Sequence, residues 1–365
     1  MKVAIDISQS IYGTGVSVYT INLVSSLISQ FPNDEFILFG GSLRRKKELE
    51  KIARKLKAKS YIYPFPPRLM DFVWNSLHVY PVEKIVGNVD LIHTADWTEP
   101  PSSIPKVTTV HDLIPFKFPQ TSHQMVRNAH KKRLSWVKKE SKAIIAVSQS
   151  TKKDLIDILK VPEEKITVIP EAAGRRYHPQ PPTIVSAIKR RYKISSDYIF
   201  SLSTLEPRKN QAGLIKAFML VKKTHPDLKL IIGGRSGWGE GLPKEGGVIF
   251  PGFIPDADLP ALYSGSLVYA LPSFYEGFSL SQLQAMACGT PVVTSNVSSM
   301  PEVVGKAGIL VDPKSVESIA AGIIKAIKMR PELIGKGLTR SQDFSWEKAA
   351  KETHELYEKV LSSNK

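Results

Sequence analysis

The sequence has a single cysteine, Cys288, among its 365 residues, so no internal disulfide can form. It also has no apolar run of the roughly 18 residues that a bilayer-spanning helix needs. The N-terminal residues MKVAIDISQS enter a strand pattern without an apolar stretch, which predicts that no signal peptide is present. These absences argue against a disulfide scaffold and a membrane-spanning chain, and we expect a cytoplasmic protein.

Metal-binding and nucleic-acid-binding patterns are also missing. The eight histidines show no paired spacing typical of zinc. The triplet Asp256–Asp258 has the letters of an Asp-x-Asp motif, but it leads into a helix pattern and does not end a strand. No recognised module accompanies the positive charge of the chain. We therefore expect no metal, no cofactor and no nucleic acid partner.

Positive charge is abundant, with a formal net charge of +16. Basic cluster 1, Arg44–Lys59, contains nine cations and two carboxylates, with apolar residues at helical spacing. Basic cluster 2, Lys131–Lys142, adds six cations around apolar residues. One interpretation is peripheral contact with an anionic membrane leaflet, where each nearby cation contributes on the order of 1 kcal/mol. The other is a solvated helix face over a core stripe, and both stay open.

Short apolar strands alternate with helical patterns along the whole chain, which is typical of an α/β protein. Buried runs of this kind predict parallel sheets covered on both faces, and two sets of them predict two doubly wound domains. The Pro-rich segment Pro170–Pro182, which lacks periodicity, is the expected boundary. The predicted strands are Lys2–Asp6, Glu35–Gly40, Ser60–Tyr63, Leu91–His93, Val107–His111, Ala143–Val147, Lys165–Ile169, Tyr198–Ser203, Lys229–Gly233, Val248–Phe250, Leu267–Pro272, Pro291–Thr294 and Gly308–Val311.

The segment Tyr275–Pro291, which reads YEGFSLSQLQAMACGTP, lies between two of these strands. Ser279 and Gln282 have the spacing of a capping box, and the Gly-x-Pro at its end predicts a helix stop. A strand, a polar loop and a helix N-terminus together form an anion pocket, at whose rim Glu276 can accept hydrogen bonds from hydroxyls. Phosphate donors beside a hydroxyl acceptor suit a sugar nucleotide.

This segment resembles the signature of the family 4 retaining glycosyltransferases, in which two glutamates stand eight residues apart. The resemblance implies the GT-B fold, with two Rossmann-like domains facing across a cleft. It places Glu276 at the first glutamate and Gln284 at the second, which holds the nucleotide ribose in the family. Glutamine keeps hydrogen bonding but loses the charge, so weaker donor binding is expected. The donor-binding residues implied beside Glu276 are Gly277, Phe278, Ser279 and Leu280.

The segment Leu202–Asn210 follows a predicted strand and contains the adjacent cations Arg208 and Lys209. Arginine offers phosphate a bidentate fork and lysine a compact charge. Both would stabilise the negative charge that accumulates on a departing diphosphate. The alternative is a solvated cationic turn. The resemblance identifies Glu-Pro-Arg-Lys-Asn as the diphosphate-binding turn of the family.

The pair His111–Asp112 stands at another strand end, where it could be a base with its orienter or a buried, capping histidine. The resemblance implies that His111 contacts the donor sugar, and Asp112 is expected to order the loop. No protein base is implied, because the leaving phosphate can take the acceptor's proton.

Two further loops carry donor-binding candidates. A lone Gly-x-Gly with Gly13 and Gly15 is a weak signal, and a tight strand-to-helix turn is its alternative. In the family this loop approaches the donor phosphates and the acceptor. The resemblance also places Phe253 and Ile254 where the nucleobase binds. A phosphate-loop interpretation of Gly233–Gly239 is disfavoured because the Gly-Lys-Ser/Thr ending is missing.

The resemblance assigns residues 1–172 to an acceptor-side domain and 173–344 to a donor-side domain, with the C-terminal helix 345–365 packing back on the first. It implies a hexosyltransferase of cell-envelope polysaccharide biosynthesis. We expect a cytoplasmic protein, and the basic clusters leave open a peripheral position at the inner face of the cell membrane. The co-substrates would be a nucleotide-diphosphate sugar, with GDP-mannose expected before UDP-glucose, and a glycan or lipid-linked acceptor. The alternatives are a non-catalytic sugar-nucleotide or glycan-binding protein, and a GT-B sugar-nucleotide epimerase.

Overall fold

The structure is a computed structural model that describes residues 1–121, 123–235, 237, 241–243 and 245–363. The chain forms two compact units. Unit 1 contains Met1–Glu171 with Ser345–Lys365, and unit 2 contains Ala172–Phe344. The division falls within the Pro-rich segment, one residue from the boundary expected from the sequence.

Unit 1 is built on a parallel sheet of seven strands in the order β3-β2-β1-β4-β5-β6-β7. The strand order reverses between β1 and β4, which pair with Val3 beside Leu91. The strands are β1 Lys2–Asp6, β2 Glu35–Gly41, β3 Lys59–Tyr63, β4 Leu91–Ala95, β5 Lys106–Val110, β6 Ala143–Ala146 and β7 Ile166–Val168.

Helices cover the sheet of unit 1, and the last helix of the chain is one of them. Helix α15 packs on α1, where the Trp346 ring contacts Tyr19 at 5.7 Å edge to face. The C-terminal segment therefore completes the core of unit 1. The helices are α1 Gly15–Gln30, α2 Lys46–Lys55, α3 Pro67–Met70, α4 Glu83–Val86, α5 Ile114–Lys117, α6 Gln124–Glu140, α7 Gln149–Leu159 and α15 Trp346–Ser362.

Unit 2 repeats this architecture with six parallel strands in the order β10-β9-β8-β11-β12-β13. The strands are β8 Tyr198–Leu202, β9 Lys229–Gly233, β10 Val248–Gly252, β11 Val268–Leu271, β12 Val292–Ser295 and β13 Gly308–Val311. The helices are α8 Pro182–Arg191, α9 Gln211–Lys222, α10 Leu259–Ser264, α11 Leu280–Ala287, α12 Met300–Val304, α13 Val316–Lys328 and α14 Arg330–Gln342.

Both faces of the unit 2 sheet are buried, as the continuous apolar strands predict. Ile199 and Phe200 are neighbours on β8, point to opposite faces, and are both fully buried in separate core clusters. All thirteen predicted strands are present, each with its ends within two residues of the expected position.

No helix in the described residues is long and apolar enough to cross a membrane.

Two helical glycines provide a test of this packing. A Cβ on Gly322 of α13 would lie 2.3 Å from Val311 Cγ1, whereas one on Gly335 of α14 would meet nothing within 4 Å. Gly322→Ala should therefore lower the free energy of unfolding by about 1–3 kcal/mol through overpacking. Gly335→Ala should raise it by roughly 0.5–1 kcal/mol, because alanine favours the helix. Urea denaturation measures both, and a stabilising Gly322→Ala would contradict the close approach of α13 to β13.

Candidate active site

The strand order of unit 2 brings two predicted site segments together. Strands β8 and β11 are adjacent, and the order of the sheet reverses between them. Ligands of open parallel sheets bind at the carboxyl ends of strands at such a point. The turn with Arg208 and Lys209 follows β8, and the loop with Glu276 follows β11.

These three side chains form one ion cluster. Lys209 Nζ lies 2.8 Å from both carboxylate oxygens of Glu276, and Arg208 Nη1 lies 3.2 Å from Oε2. Ser273 Oγ donates to the same carboxylate at 2.7 Å. A second carboxylate, Glu206, pairs with Arg208 from the other side. The cluster thus places two cations between two carboxylates.

The cluster is buried, which changes two expectations. The Arg208 side chain is 7% exposed and that of Lys209 16%, so the solvated cationic turn is wrong. The sequence predicts Glu276 at a pocket rim as an acceptor for hydroxyls, whereas only 6% of it is exposed and its carboxylate contacts the two cations. Glu276 therefore contacts the two cations that the sequence predicts for a diphosphate.

The electrostatics of the cluster favour a charged carboxylate. Burial on its own would raise the pKa of Glu276, but the charges of Lys209 and Arg208 and the hydrogen bonds from Lys209 and Ser273 lower it to about 2. Burial and the neighbouring Arg208 lower the pKa of Lys209, and Glu276 opposes that shift. Glu276 is thus ionised throughout the neutral range.

Backbone anchors hold the two loops in place. Ser298 and Ser299 both donate to the carbonyl oxygen of Glu276. Asn210, in the left-handed conformation with φ of 55°, donates from Nδ2 to the carbonyl oxygens of Pro272 and Pro313 at 3.1 and 2.7 Å. These bonds tie the turn after β8 to the loops after β11 and β13, so the position of the cluster is fixed by the sheet.

Helix α11 begins beside the cluster, but its expected capping box is wrong. Gln282 Nε2 donates to Thr294 Oγ1 at 2.5 Å on the neighbouring strand β12, and no side-chain cap bond is made by Ser279. Ser279 Oγ is buried and has no hydrogen-bond partner among the described residues. The expected helix stop is confirmed, because Gly289 after the helix has φ of 74°, a conformation that favours glycine.

The remaining residues of this segment are mostly buried. Gln284 is 5% exposed, and its Oε1 accepts a hydrogen bond from the Tyr263 hydroxyl at 3.3 Å. Leu280 is buried, and the half-buried Phe278 packs edge to face on Phe344 at 5.9 Å. The predicted ribose contact of Gln284 thus involves a side chain that already has a partner in the core.

The two candidates for nucleobase contact differ in exposure. Phe253 is 55% exposed, and the guanidinium carbon of Arg235 lies 4.7 Å from its ring centre. Ile254 is 3% exposed and packs in the core, where its Cδ1 would lie 2.3 Å from a Cβ on Gly233. The Ile254 side chain therefore serves core packing, and only Phe253 offers an exposed surface to a base.

Unit 1 carries the other predicted site residues, at the carboxyl ends of its strands. His111 follows β5, and its Nδ1 lies 3.1 Å from Glu171 Oε1 after β7. Its ring contacts Tyr19 of α1 edge to face at 4.6 Å. His111 Nε2 is buried and has no hydrogen-bond partner in the described part of the chain. A buried polar atom without a partner calls for an explanation, which makes this nitrogen a candidate for ligand binding.

The expectation that Asp112 orders the loop is confirmed, and a different carboxylate contacts His111. Asp112 Oδ1 accepts a hydrogen bond from the Ile114 N–H at 2.9 Å, so Asp112 orders the loop, and Glu171 holds the imidazole. Glu171, Glu206 and Ser273 are the site residues that sequence reasoning missed. Each stands within a few residues of a predicted strand end, which is the one signal that could have indicated them.

The Gly13 loop follows β1, at the same edge of the unit 1 sheet at which His111 follows β5. Gly13 has φ of 66°, so the turn requires a glycine, and Gly15 is the first residue of α1. Tyr19, one turn further along α1, contacts the His111 ring. Gly13, Gly15 and His111 are thus brought to one edge of the sheet.

Of the two weaker motifs, the Asp-x-Asp triplet takes part in an ion pair, and the other is only partly described. Asp258 of the Asp-x-Asp triplet is buried and pairs with Arg191 at 2.7 Å. The segment Gly233–Gly239 lies partly outside the described residues. Among the residues that are described, no group of three or more His, Cys, Asp and Glu side chains could hold a metal ion. Independence from metal remains a prediction.

Comparison with known proteins covers both units. The family model of glycosyltransferase family 4 matches residues 13–172, and that of the glycosyl transferases group 1 matches residues 187–342. The O-antigen chain mannosyltransferase B of Escherichia coli is 34% identical over 69% of this chain and 69% of its own length. The serotype-specific mannosyltransferase WbdA of Escherichia coli is 30% identical over 71% of this chain. The aligned region covers 34% of the length of WbdA.

Solved structures resemble the whole chain. Anabaena Alr3699/HepE, in complex with UDP and glucose, aligns with a TM-score of 0.74 at 18% identity, over 98% of this chain and 100% of that one. WaaG, a glycosyltransferase involved in lipopolysaccharide biosynthesis, aligns with a TM-score of 0.70 at 12% identity, over 97% and 99%. At these identities the likeness establishes the GT-B fold and nothing about activity.

The ion cluster predicts a pH dependence of stability. The pKa of Glu276 is about 2 in the folded chain and near 4.5 ordinarily, so its contribution is complete above pH 4.5 and is lost as the pH falls towards 2. This contribution is roughly 3 kcal/mol. Calorimetry between pH 6 and 2.5 should show a flatter stability profile for Glu276→Gln than for wild type. The exposed Glu332→Gln is the matched control and should keep the wild-type slope, whereas parallel profiles for all three proteins would contradict the cluster.

Proposed function

The chain belongs to glycosyltransferase family 4, and we propose that it transfers mannose, with retention of configuration, from a nucleotide-diphosphate donor to a glycan or lipid-linked acceptor. The transfer of a sugar follows from the family. The observation that supports a nucleotide-diphosphate donor is the buried cluster of Glu276, Arg208 and Lys209 at the carboxyl ends of β8 and β11. The mannosyltransferase relatives support mannose, and the HepE complex with UDP-glucose supports the class of donor.

Donor binding would exchange the partners of the cations. A diphosphate brings negative charge to Arg208 and Lys209 and replaces the carboxylate of Glu276, which then turns to the sugar. As the bond between sugar and phosphate breaks, the cations stabilise the departing diphosphate more than the intact donor. Arg208 and Lys209 supply the positive charge that a metal ion would supply elsewhere, so no metal or other cofactor is required in this proposal.

His111 would contribute a hydrogen bond to a sugar hydroxyl. Glu171 holds Nδ1, which fixes the ring and leaves Nε2 for the ligand. No protein base is needed in this scheme, because the leaving phosphate takes the acceptor's proton. Gly13 and Gly15, on the same edge of unit 1, would allow close approach of the substrate to the backbone.

A non-catalytic sugar-nucleotide-binding protein is the second candidate, and Gln284 is the observation that favours it. Its amide oxygen accepts a bond from Tyr263 and carries no charge for the ribose. An epimerase needs acid/base carboxylates, and both Glu276 and Glu206 are paired with cations in the described site. Nothing specific therefore favours an epimerase.

The lipid-linked form of the acceptor agrees with the surface of unit 1, and we place the protein peripherally on an anionic leaflet. Four cations of basic cluster 1, Lys47, Lys51, Arg54 and Lys55, are exposed on α2, whose buried residues are Leu49 and Ala53. In basic cluster 2, Arg133 is buried beneath the helix and bonds to Thr108, so only the lysines are available to headgroups.

The first prediction of this proposal concerns the diphosphate. Lys209→Ala should lower turnover by about 10²-fold, as the loss of one oxyanion donor does elsewhere. The exposed Lys216→Ala on α9 is its matched control and should leave turnover unchanged. Arg208→Ala should have a similar effect, but its melting temperature must be checked, since it leaves Glu206 buried without its cation. Release of nucleoside diphosphate from a panel of sugar nucleotides measures turnover, and near-normal rates in both variants would place the diphosphate elsewhere.

The second prediction separates catalysis from binding. Glu276→Gln should reduce turnover far more than donor affinity, because its interaction with the sugar strengthens in the transition state. Gln284→Glu keeps an acceptor for Tyr263 and restores the charge typical of the family, so it should change donor affinity by at most about 1–2 kcal/mol and leave turnover nearly unchanged. Calorimetric titration and the turnover assay measure the two quantities. If Gln284→Glu instead activates an inactive chain, the natural protein is a binder.

A further inference from the structure

Unit 1 displays a run of exposed apolar side chains in the residues that follow β3. Fourteen large apolar side chains are exposed in the described chain, and six of them lie within one stretch of sixteen residues. We call Phe65–Tyr80 the apolar segment. Its exposed members, which are 36–53% exposed, are Phe65, Leu69, Phe72, Leu77, Val79 and Tyr80. Exposed apolar surface concentrated in this way marks an interaction site.

The apolar segment is held by a defined structure. Helix α3 continues into a π-helical turn, Asp71–Leu77, whose inner face buries Trp74 and Asn75. Trp74 Nε1 donates to the Tyr80 carbonyl at 3.1 Å, and Asn75 Nδ2 donates to the Trp97 carbonyl at 3.0 Å. These bonds direct the apolar side chains outwards, so their exposure is a property of the fold.

The two basic clusters flank the apolar segment on either side. Phe65 lies against Gly41, where β2 ends and basic cluster 1 begins three residues later. On the other side, Lys132 Nζ donates to Ser76 Oγ at 2.8 Å, and the Trp136 ring stacks on His78 at 3.5 Å. From residue 44 to residue 84 the chain has eleven Lys and Arg against four Asp and Glu. The apolar segment therefore has a basic cluster next to each of its two ends.

We propose that the apolar segment inserts into the interfacial layer of an anionic membrane leaflet, while the basic clusters contact the lipid headgroups. Charge complementarity on both borders identifies an anionic surface, and aromatic and leucine side chains between cations are typical of interfacial anchors. The apolar segment follows β3 at the same sheet edge at which His111 follows β5. Insertion brings this edge to the membrane, where a lipid-linked acceptor is located. That part of the inference depends on the proposed function.

Vesicle sedimentation separates insertion from charge attraction. The wild-type chain should bind phosphatidylglycerol–phosphatidylcholine vesicles strongly at low salt, and phosphatidylcholine vesicles poorly. In about 1 M salt, where the Debye length is about 3 Å, a fraction should stay bound because apolar burial is not screened. The double variant Phe72→Ser, Leu77→Ser should lower the partition coefficient roughly tenfold at every salt concentration. The control, Ile184→Ser with Leu310→Ser, removes two apolar residues that are equally exposed in unit 2 and should bind like wild type.

A fluorescent label reports the insertion directly. Cys288 is 2% exposed, so Leu77→Cys adds the one readily accessible thiol among the described residues. A polarity-sensitive dye on that thiol should shift to the blue with anionic vesicles, because it enters the acyl boundary. The same dye on Ile184→Cys should not shift.

Three results would overturn the insertion. They are equal binding of wild type and the Phe72/Leu77 double variant, an unshifted dye at position 77, and a dimer in sedimentation velocity that the double variant dissociates. The last result would make this face an interface between two copies. The double variant should keep wild-type turnover with a water-soluble acceptor. Vesicle binding without any donor turnover would reject the proposed function and leave the insertion standing.

Discussion

Unit 2 depends on the neutralisation of buried charge. Taking Arg208, Lys209, Glu206 and Glu276 out of water costs several kcal/mol for each ion unless opposite charges meet. The loop after β8 supplies two cations and one carboxylate, and the loop after β11 supplies the second carboxylate. The charges therefore balance only where the two loops meet. These ion pairs hold the two loops together, and a ligand that displaces Glu276 has to supply negative charge of its own.

The two units apply one structural principle to different chemistry. Each has a parallel sheet whose strand order reverses near the middle, and each carries its polar side chains at the carboxyl ends of strands. In unit 2 this produces the buried cluster of two cations and two carboxylates. In unit 1 it produces a glycine turn and His111, which Glu171 orients. Because parallel strands end at the same edge, residues distant in sequence become neighbours there.

The strand and helix pattern was predictable because the strands are buried on both faces. A strand such as Ala143–Ala146 is a continuous apolar run that is buried throughout, and helices of distinct period separate such runs. The start of α11 was less predictable. The Ser279–Gln282 spacing indicates a capping box, but Gln282 has a stronger option in Thr294, which only the packing of α11 on β12 brings within reach. The contact between Gln282 and Thr294 thus replaces the capping box that the local sequence predicts.

The sequence by itself determined the alternating strands and helices, the boundary between the units, and the positions of Glu276, Arg208, Lys209 and His111 at strand ends. The tertiary structure alone decided which side chains they meet. His111 and Glu171 are 60 residues apart, and Arg208 and Glu276 are 68 apart. The tertiary structure also decided that Ile254 is buried and that the apolar segment is exposed. Local periodicity indicates where strands and helices form. The partner of a charged side chain and the exposure of an apolar one depend on distances that only the packing of these elements sets.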